Sequence, residues 1–400
     1  MQILRRIRRC GTAIAVGLLI PMLVTPVWAL TNSPFCANGD CGSTLKTLKD
    51  ICELVVKEKS DFPTIYVGGY YMRTLVAGYE IFGDRRYLDT AIAFGDSLLA
   101  KQMTNGLWAS GYGTAYLADT GSALGLFIVL YKHVDSERQK RYFHAVELYT
   151  AALQKDGMIH PNGAFGTGFE HAGNNTVSDP IYDEYTLSSA LTGAEIFTWM
   201  YHETKDSRYR QVAYNALKWE FSNMRPDGHL PYVIAMEGAD WSKREDPATN
   251  FDIWKKMTFG AAGYVGEGVL SFDLYSDNPA WKAWIEKTVK PNIDFLLKTQ
   301  RPDGTWSEMP AKTWDRTRQP TIINYLTWYY EHVEHDPRIV KAVQRFDAFV
   351  TNPESGKSYG LLNDGANFGG EDKIKAYDTV TSLTGRALAD IISPGVDAKW

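Results

Sequence analysis

Stretches that are apolar on every face alternate along the chain with stretches that are apolar on one face only. After Asp206, the residues Tyr209, Val212, Ala213, Ala216 and Leu217 recur at i, i+3, i+4, i+7 and i+8, the spacing of one helix face. Between an apolar stretch and the amphipathic one that follows it lies a short recurring junction: Gly83-Asp84-Arg85-Arg86-Tyr87, Val134-Asp135-Ser136, Lys205-Asp206-Ser207-Arg208-Tyr209, Ser276-Asp277-Asn278-Pro279 and His335-Asp336-Pro337-Arg338-Ile339. In each the Asp is the expected N-cap, and Pro279 and Pro337 suit a first helical turn. The amphipathic stretches end at turn signals: Asn105-Gly106-Leu107-Trp108, Asp156-Gly157, Asp227-Gly228-His229 and Asp303-Gly304-Thr305-Trp306. The repeating unit is a helical hairpin, apolar helix first and half-exposed helix second.

Five complete hairpins are legible, plus an unpaired amphipathic helix from about Ser43 to Lys59 and an unpaired apolar one from about Ala376 to Ile392. An open solenoid would need polar caps, and the last helix is too apolar to serve as one. Pairing it with the first makes six hairpins in a closed ring. The expected fold is all-α: a single toroid domain over residues 43–400, preceded by a Cys-containing segment over 30–42 and a leader over 1–29.

Leu117-Ala118-Asp119-Thr120-Gly121, then Leu126 to Tyr131 and a Val-Asp-Ser-Glu-Arg junction, give the chain its resemblance to the six-hairpin glycosidase-like superfamily of (α/α)6 toroids. Within that superfamily it looks most like the unsaturated uronyl hydrolases. The resemblance implies a secreted or periplasmic enzyme that acts on lyase-generated oligosaccharides with two aspartates as acid and base and no cofactor. Related lyases and epimerases share the fold, so fold alone does not decide function.

Arg5, Arg6, Arg8 and Arg9, an apolar run from Gly11 to Val24 interrupted by Pro21, and Val27-Trp28-Ala29 read as a secretory signal peptide. Its removal takes the net charge from −5 to −9. That argues against a nucleic-acid partner, and no stable membrane insertion is expected after cleavage. Cys36, Cys41 and Cys52 crowd together in an exported chain, so one disulfide is expected, Cys36 with Cys41 or Cys41 with Cys52. The histidines show no His-x-x-x-His spacing, and no zinc or other metal site is expected.

Asp61, Asp119, Asp183, Asp252, Asp315 and Asp378 recur 58 to 69 residues apart, about one hairpin, and should ring one mouth of the toroid. Helix capping accounts for most of them. Asp183 escapes it, because in Ser178-Asp179-Pro180 the cap falls to Asp179 and Asp183 lies inside the first turn. Asp119 is the only charge between Thr114 and Tyr131, an apolar setting that raises a carboxyl pKa and suits a general acid. Glu184 and Glu195 are weaker candidates. Tyr182-Asp183 is echoed by Tyr377-Asp378 three hairpins on, across the ring.

Aromatic residues make up 13% of the chain. Tyr66, Tyr70, Tyr71, Trp108, Tyr112, Tyr116, Tyr182, Tyr185, Trp241, Trp254, Trp306, Trp314 and Tyr377 fall at expected mouth positions, where rings can stack on sugar faces. Arg316 and Arg318 beside Trp314 suit a forked grip on a substrate carboxylate. The segments 163–178, with His171, and 229–250 are long enough to wall a cleft, and Asn174-Asn175-Thr176 is a glycosylation sequon in a eukaryotic host. The expected protein is an exported glycoside hydrolase for acidic poly- or oligosaccharides. Asp183 acts as general acid/base, Asp119 as its partner, and Tyr116, Tyr182, His171, Trp241, Trp314, Arg316, Arg318, Tyr377 and Asp378 contact substrate. The alternatives are a polysaccharide lyase or uronyl epimerase, with Tyr182 or His171 exchanging the proton at C5, and a non-catalytic glycan-binding toroid.

Overall fold

The computed structural model describes residues 33–58, 62, 64–111, 113–231, 233–235, 258–306, 318–362 and 373–398. In chain order the helices are α1 (Gly42–Glu58), α2 (Ile65–Phe82), α3 (Arg85–Ala100), α4 (Leu117–Leu130), α5 (Ser136–Lys155), a π-helical segment (Ser188–Ile196) that runs into α6 (Phe197–Thr204), α7 (Ser207–Ser222), α8 (Thr258–Tyr275), α9 (Pro279–Thr299), α10 (Thr321–His332), α11 (Pro337–Thr351), the short α12 (Pro353–Tyr359) and α13 (Lys373–Ile392). The inner layer is a closed circle: α2 packs on α4, α4 on the π segment, that segment on α8, α8 on α10, α10 on α13, and α13 back on α2. Helix α1 lies against α13, so the terminal helices close the ring as expected. No helix among the described residues is long and apolar enough to cross a membrane.

Each inner helix but α13, whose partner α1 lies at the other end of the chain, passes to its outer partner through a junction of two to five residues, so these inner helices run in the same direction. The junction aspartates do cap: the Asp84, Asp135, Asp206 and Asp336 carboxylates accept from the backbone N–H groups of Arg86, Arg138, Arg208 and Arg338. In the fourth junction the cap is Asn278 and not Asp277, whose backbone is left-handed with φ 51°. Starting α9 with Pro279 at its first turn makes the residue before the proline the cap.

The outer helices end in one turn built four times. The N–H groups of Met103, His160, Arg225 and Arg301 donate to the carbonyls of Leu107, Ala164, His229 and Thr305. The side chains of Asn105, Asn162, Asp227 and Asp303 accept from the N–H two residues on. The glycine between has φ of 88°, 99°, 91° and 90° at Gly106, Gly163, Gly228 and Gly304. A Cβ there would come within 2.6 Å of a carbonyl oxygen on the next outer helix, so only glycine fits. After α5 the turn therefore uses Asn162-Gly163 and not the Asp156-Gly157 expected. Trp108 and Trp306 complete two of these turns by donating their indole N–H to Leu98 O and Leu296 O. Both rings are buried, which removes them from the set of sugar-stacking residues.

The fold is not purely helical. β1 (Ala115–Tyr116), β2 (Gly168–Gly173) and β3 (Thr176–Ile181) form an antiparallel sheet in that order, and β4 (Glu184–Tyr185) pairs with β5 (Val233–Ala235). β2 and β3 turn at Asn174 and Asn175, both left-handed, the geometry of a two-residue hairpin. Ser178-Asp179-Pro180 is thus part of an edge strand and not a helix cap. Proline lacks a donor and is tolerated in both places, which is why the motif misleads. Cys36 is bonded to Cys41, and Cys52 is a buried free thiol whose pKa is raised by burial.

Candidate functional site

The parallel inner helices give the ring two different ends. At the end where they start, the connections are 59–64, 101–116, 156–187, 223–257, 300–320 and 360–372. This is the mouth, and it carries the sheet. Tyr116 and Ile181 are both in register with Gly168, on either side of β2. With strands about 4.8 Å apart, the segments carrying Asp119 and Asp183 are fastened roughly 10 Å from each other. Gly168 has φ 136°, and a Cβ there would lie 2.3 Å from Ala115 O, so the strands meet this closely only at glycine. Leu117 N–H donates to Thr167 O, Thr167 N–H to Ile181 O, and Tyr185 N–H to Phe165 O, tying the starts of two adjacent inner helices to one framework.

Asp119 lies in the first turn of α4 and is half-buried, not enclosed as its apolar neighbours suggested. Asp183, also half-buried, precedes its helix in the link between β3 and β4. Tyr116 stands between two carboxylates. Its hydroxyl is 3.4 Å from Glu170 Oε2, and burial, followed by the charges of Glu170 and Asp119, raises its pKa. Glu170, which sequence reasoning missed, comes from β2. Alternation along a strand could have found it only had β2 been recognised.

The neighbours of Asp183 have other duties. Tyr182 packs toward His160, at 6.5 Å between ring centroids, on the outer loops. Glu184 accepts from Asn162 Nδ2 and Trp219 Nε1, clamping the mouth to α7. His171 and Asp179 pair at 2.8 Å on the exposed hairpin, where Asp179 has φ 53°.

Across the ring, Tyr71 donates to Asp378 Oδ1 at 3.1 Å, Tyr66 and Thr379 share a hydrogen bond of 3.1 Å, and the Arg318 guanidinium lies 5.9 Å from the centre of the Tyr66 ring. Arg318 is buried, not part of a solvated loop. Asp378 sits inside α13, whereas Asp183 precedes its helix, so the two Tyr-Asp pairs are not equivalent in backbone. Asp61, Tyr112, Trp241, Asp252, Trp254, Trp314, Asp315, Arg316, the side chain of Tyr377 and the leader over 1–29 lie outside the described residues.

Below the mouth the barrel axis is closed by charge. Arg73 on α2 meets Glu195 on the π segment at 3.2 Å and Glu267 on α8 at 3.4 Å, and Arg386 on α13 meets Glu267 at 2.9 Å. Tyr70 donates to Glu267 and receives Ser122 from α4, and Arg386 lies 5.0 Å over the Tyr70 ring. Burial is the main cause of the raised Tyr70 pKa. All these side chains are almost fully buried. The network forms a floor shared by five of the six inner elements and accounts for Glu195 as a structural residue. Its members are far apart in sequence, so no local motif announces it.

No protein-family model and no curated protein sequence matches the chain. Among solved structures, it is similar to a possible member of glycoside hydrolase family 105 from Salmonella enterica, with a TM-score of 0.61 and 12% identity over 86% of this chain and 93% of that one. It is similar to an unsaturated glucuronyl hydrolase specific for heparin, with a TM-score of 0.56 and 14% identity over 86% and 94%. A polysaccharide lyase gives 0.56 and 13% over 86% and 98%. At these identities the likeness is one of fold, and the chain is an (α/α)6 toroid of six helical hairpins.

Proposed function

We propose that the protein is an exported glycoside hydrolase for acidic, uronate-containing oligosaccharides. Asp183 exchanges the proton as general acid/base, and Asp119 orients it and sets its charge. Arg318 meets the substrate carboxylate opposite them. The observation that carries this reading is the three-stranded sheet, which holds the segments bearing Asp119, Tyr116 and Asp183 together at the mouth. The arrangement needs no metal or cofactor for proton transfer. Helix N-termini carry partial positive charge, so six of them around the mouth favour an anionic ring. The likeness in fold to hydrolases of unsaturated glucuronides supports the substrate class. Export rests on the leader and on the Cys36–Cys41 disulfide, a bond that persists in oxidising compartments.

The His171–Asp179 pair favours one second reading, a lyase in which His171 removes the C5 proton. Incubating the protein with uronate polymers and with their lyase-generated unsaturated oligosaccharides separates the two. Loss of the ultraviolet absorbance of the unsaturated oligomers supports the hydrolase, and its appearance on polymers supports the lyase. Saturable binding without turnover of either would make the toroid a glycan-binding protein.

A further inference from the structure

The opposite end of the ring holds a cavity of about 190 Å³ lined by Leu270 and Leu274 of α8, Asn324, Thr327, Trp328, Glu331 and His332 of α10, Asp390 of α13, and Pro394, Gly395 and Ala398 of the tail that follows. We propose that this cavity is a binding site for a small organic ammonium ion with a compact apolar body, separate from the mouth and independent of the activity assigned there.

The lining accepts hydrogen bonds far more than it donates them. Asn324 is 4% exposed, and no protein donor among the described residues reaches its Oδ1. A buried carbonyl oxygen of this kind needs a donor. Thr327 has turned its hydroxyl onto Asp390 Oδ2, and Gly395 N–H donates to Asp390 Oδ1 at 2.6 Å. Trp328 sends its indole N–H away to Asp273 Oδ2, which also takes Lys282. Glu331 adds a carboxylate at the exposed rim, and among the described residues no lysine or arginine lines the space. His332, also at the rim, is the one lining residue among those described that is able to carry positive charge.

The backbone has the same sign. Leu274, His332 and Asp390 lie in the last turns of α8, α10 and α13, whose C-termini concentrate partial negative charge and carbonyls without helical partners. The Glu331 carboxylate and the helix ends both disfavour an anion. A cation with two or three N–H donors matches Asn324 Oδ1, the Glu331 carboxylate and the carbonyls at these helix ends, while Leu270, Leu274 and Pro394 accommodate its carbon skeleton. The space equals about six water volumes, enough for a six-carbon amine.

Calorimetric titration of the full chain with cyclohexylammonium chloride, and with cyclohexanol as its neutral counterpart, tests the proposal. Saturable binding of the ammonium, at least about tenfold tighter than the alcohol, is expected because hydrogen bonds to charged groups are the stronger ones. Asn324→Leu should weaken it about tenfold, and Glu331→Gln, at the exposed rim where folding is not at stake, about threefold. Asp119→Asn at the mouth should leave it unchanged. No saturable binding, equal binding of the alcohol, indifference to both cavity substitutions, or loss on Asp119→Asn would each overturn it.

Discussion

The two ends of the ring are made from the same repeated hairpin and are connected in opposite ways. At the junction end the connections are two to five residues, and three of them repeat one device, in which Asp84, Asp206 and Asp336 cap a helix and pair with the arginine two residues on. At the mouth every connection has at least six residues, and one has become a β-hairpin. The helices are alike at both ends, so it is the length of the connections that makes the ends different. Direction adds a second difference. The mouth gathers the N-termini of the inner helices and the junction end their C-termini, so the two face ligands with opposite partial charge.

The floor between the ends offers the largest effect. Glu267→Gln leaves Arg73 and Arg386 short of a buried partner and should cost about 3 to 5 kcal/mol, read from urea unfolding. A loss below about 1 kcal/mol would mean that the two ends are not joined through this network.

The seam where the ring closes should respond to pH. Asp347 accepts from Ala37 N–H and Thr44 Oγ1, and burial raises its pKa from 3.8 to about 6. The native state therefore holds this proton more tightly than the unfolded chain. Asp347 favours the fold most when protonated, below about pH 4, and that contribution fades as pH rises through 6. The difference reaches at most about 3 kcal/mol between pH 4 and 7. Asp347→Asn should flatten the slope of stability against pH across this window, and an unchanged slope would refute the assignment.

At the mouth, Arg318→Gln should lower kcat/KM for an acidic sugar about 10- to 30-fold relative to a neutral analogue, the equivalent of about 2 kcal/mol. Comparing two substrates on one preparation cancels any change in folded fraction. Equal losses would confine Arg318 to packing on Tyr66. The smallest effect belongs to the hairpin. His171→Ala should change hydrolytic turnover less than about threefold, whereas in a lyase it would remove the base.

The hairpin repeat, the junction caps and ring closure were legible because each is local or periodic: a 3.6-residue stripe, an Asp before an amphipathic run, an apolar final helix in need of a neighbour. The sheet was not. Its signals were an Asp-Pro pair that serves an edge strand as well as a helix start, and a Gly- and Asn-rich run that reads as loop. Asp119 and Asp183 were singled out as candidates from composition and spacing, but their half-buried settings and the strand beside Asp183 follow from tertiary pairing. Arg73, Glu267 and Arg386 left no trace in any window, because each acquires its partner only across the axis, from a helix far away in sequence.

The central claim is that the chemistry resides at the mouth, on Asp119 and Asp183. It is tested most directly by turnover of unsaturated uronate oligosaccharides by Asp119→Asn and Asp183→Asn, measured beside their thermal unfolding. Each substitution should lower kcat at least about 100-fold, as loss of a general acid/base does, with a midpoint close to that of the parent. Near-parental turnover in both variants would contradict the account.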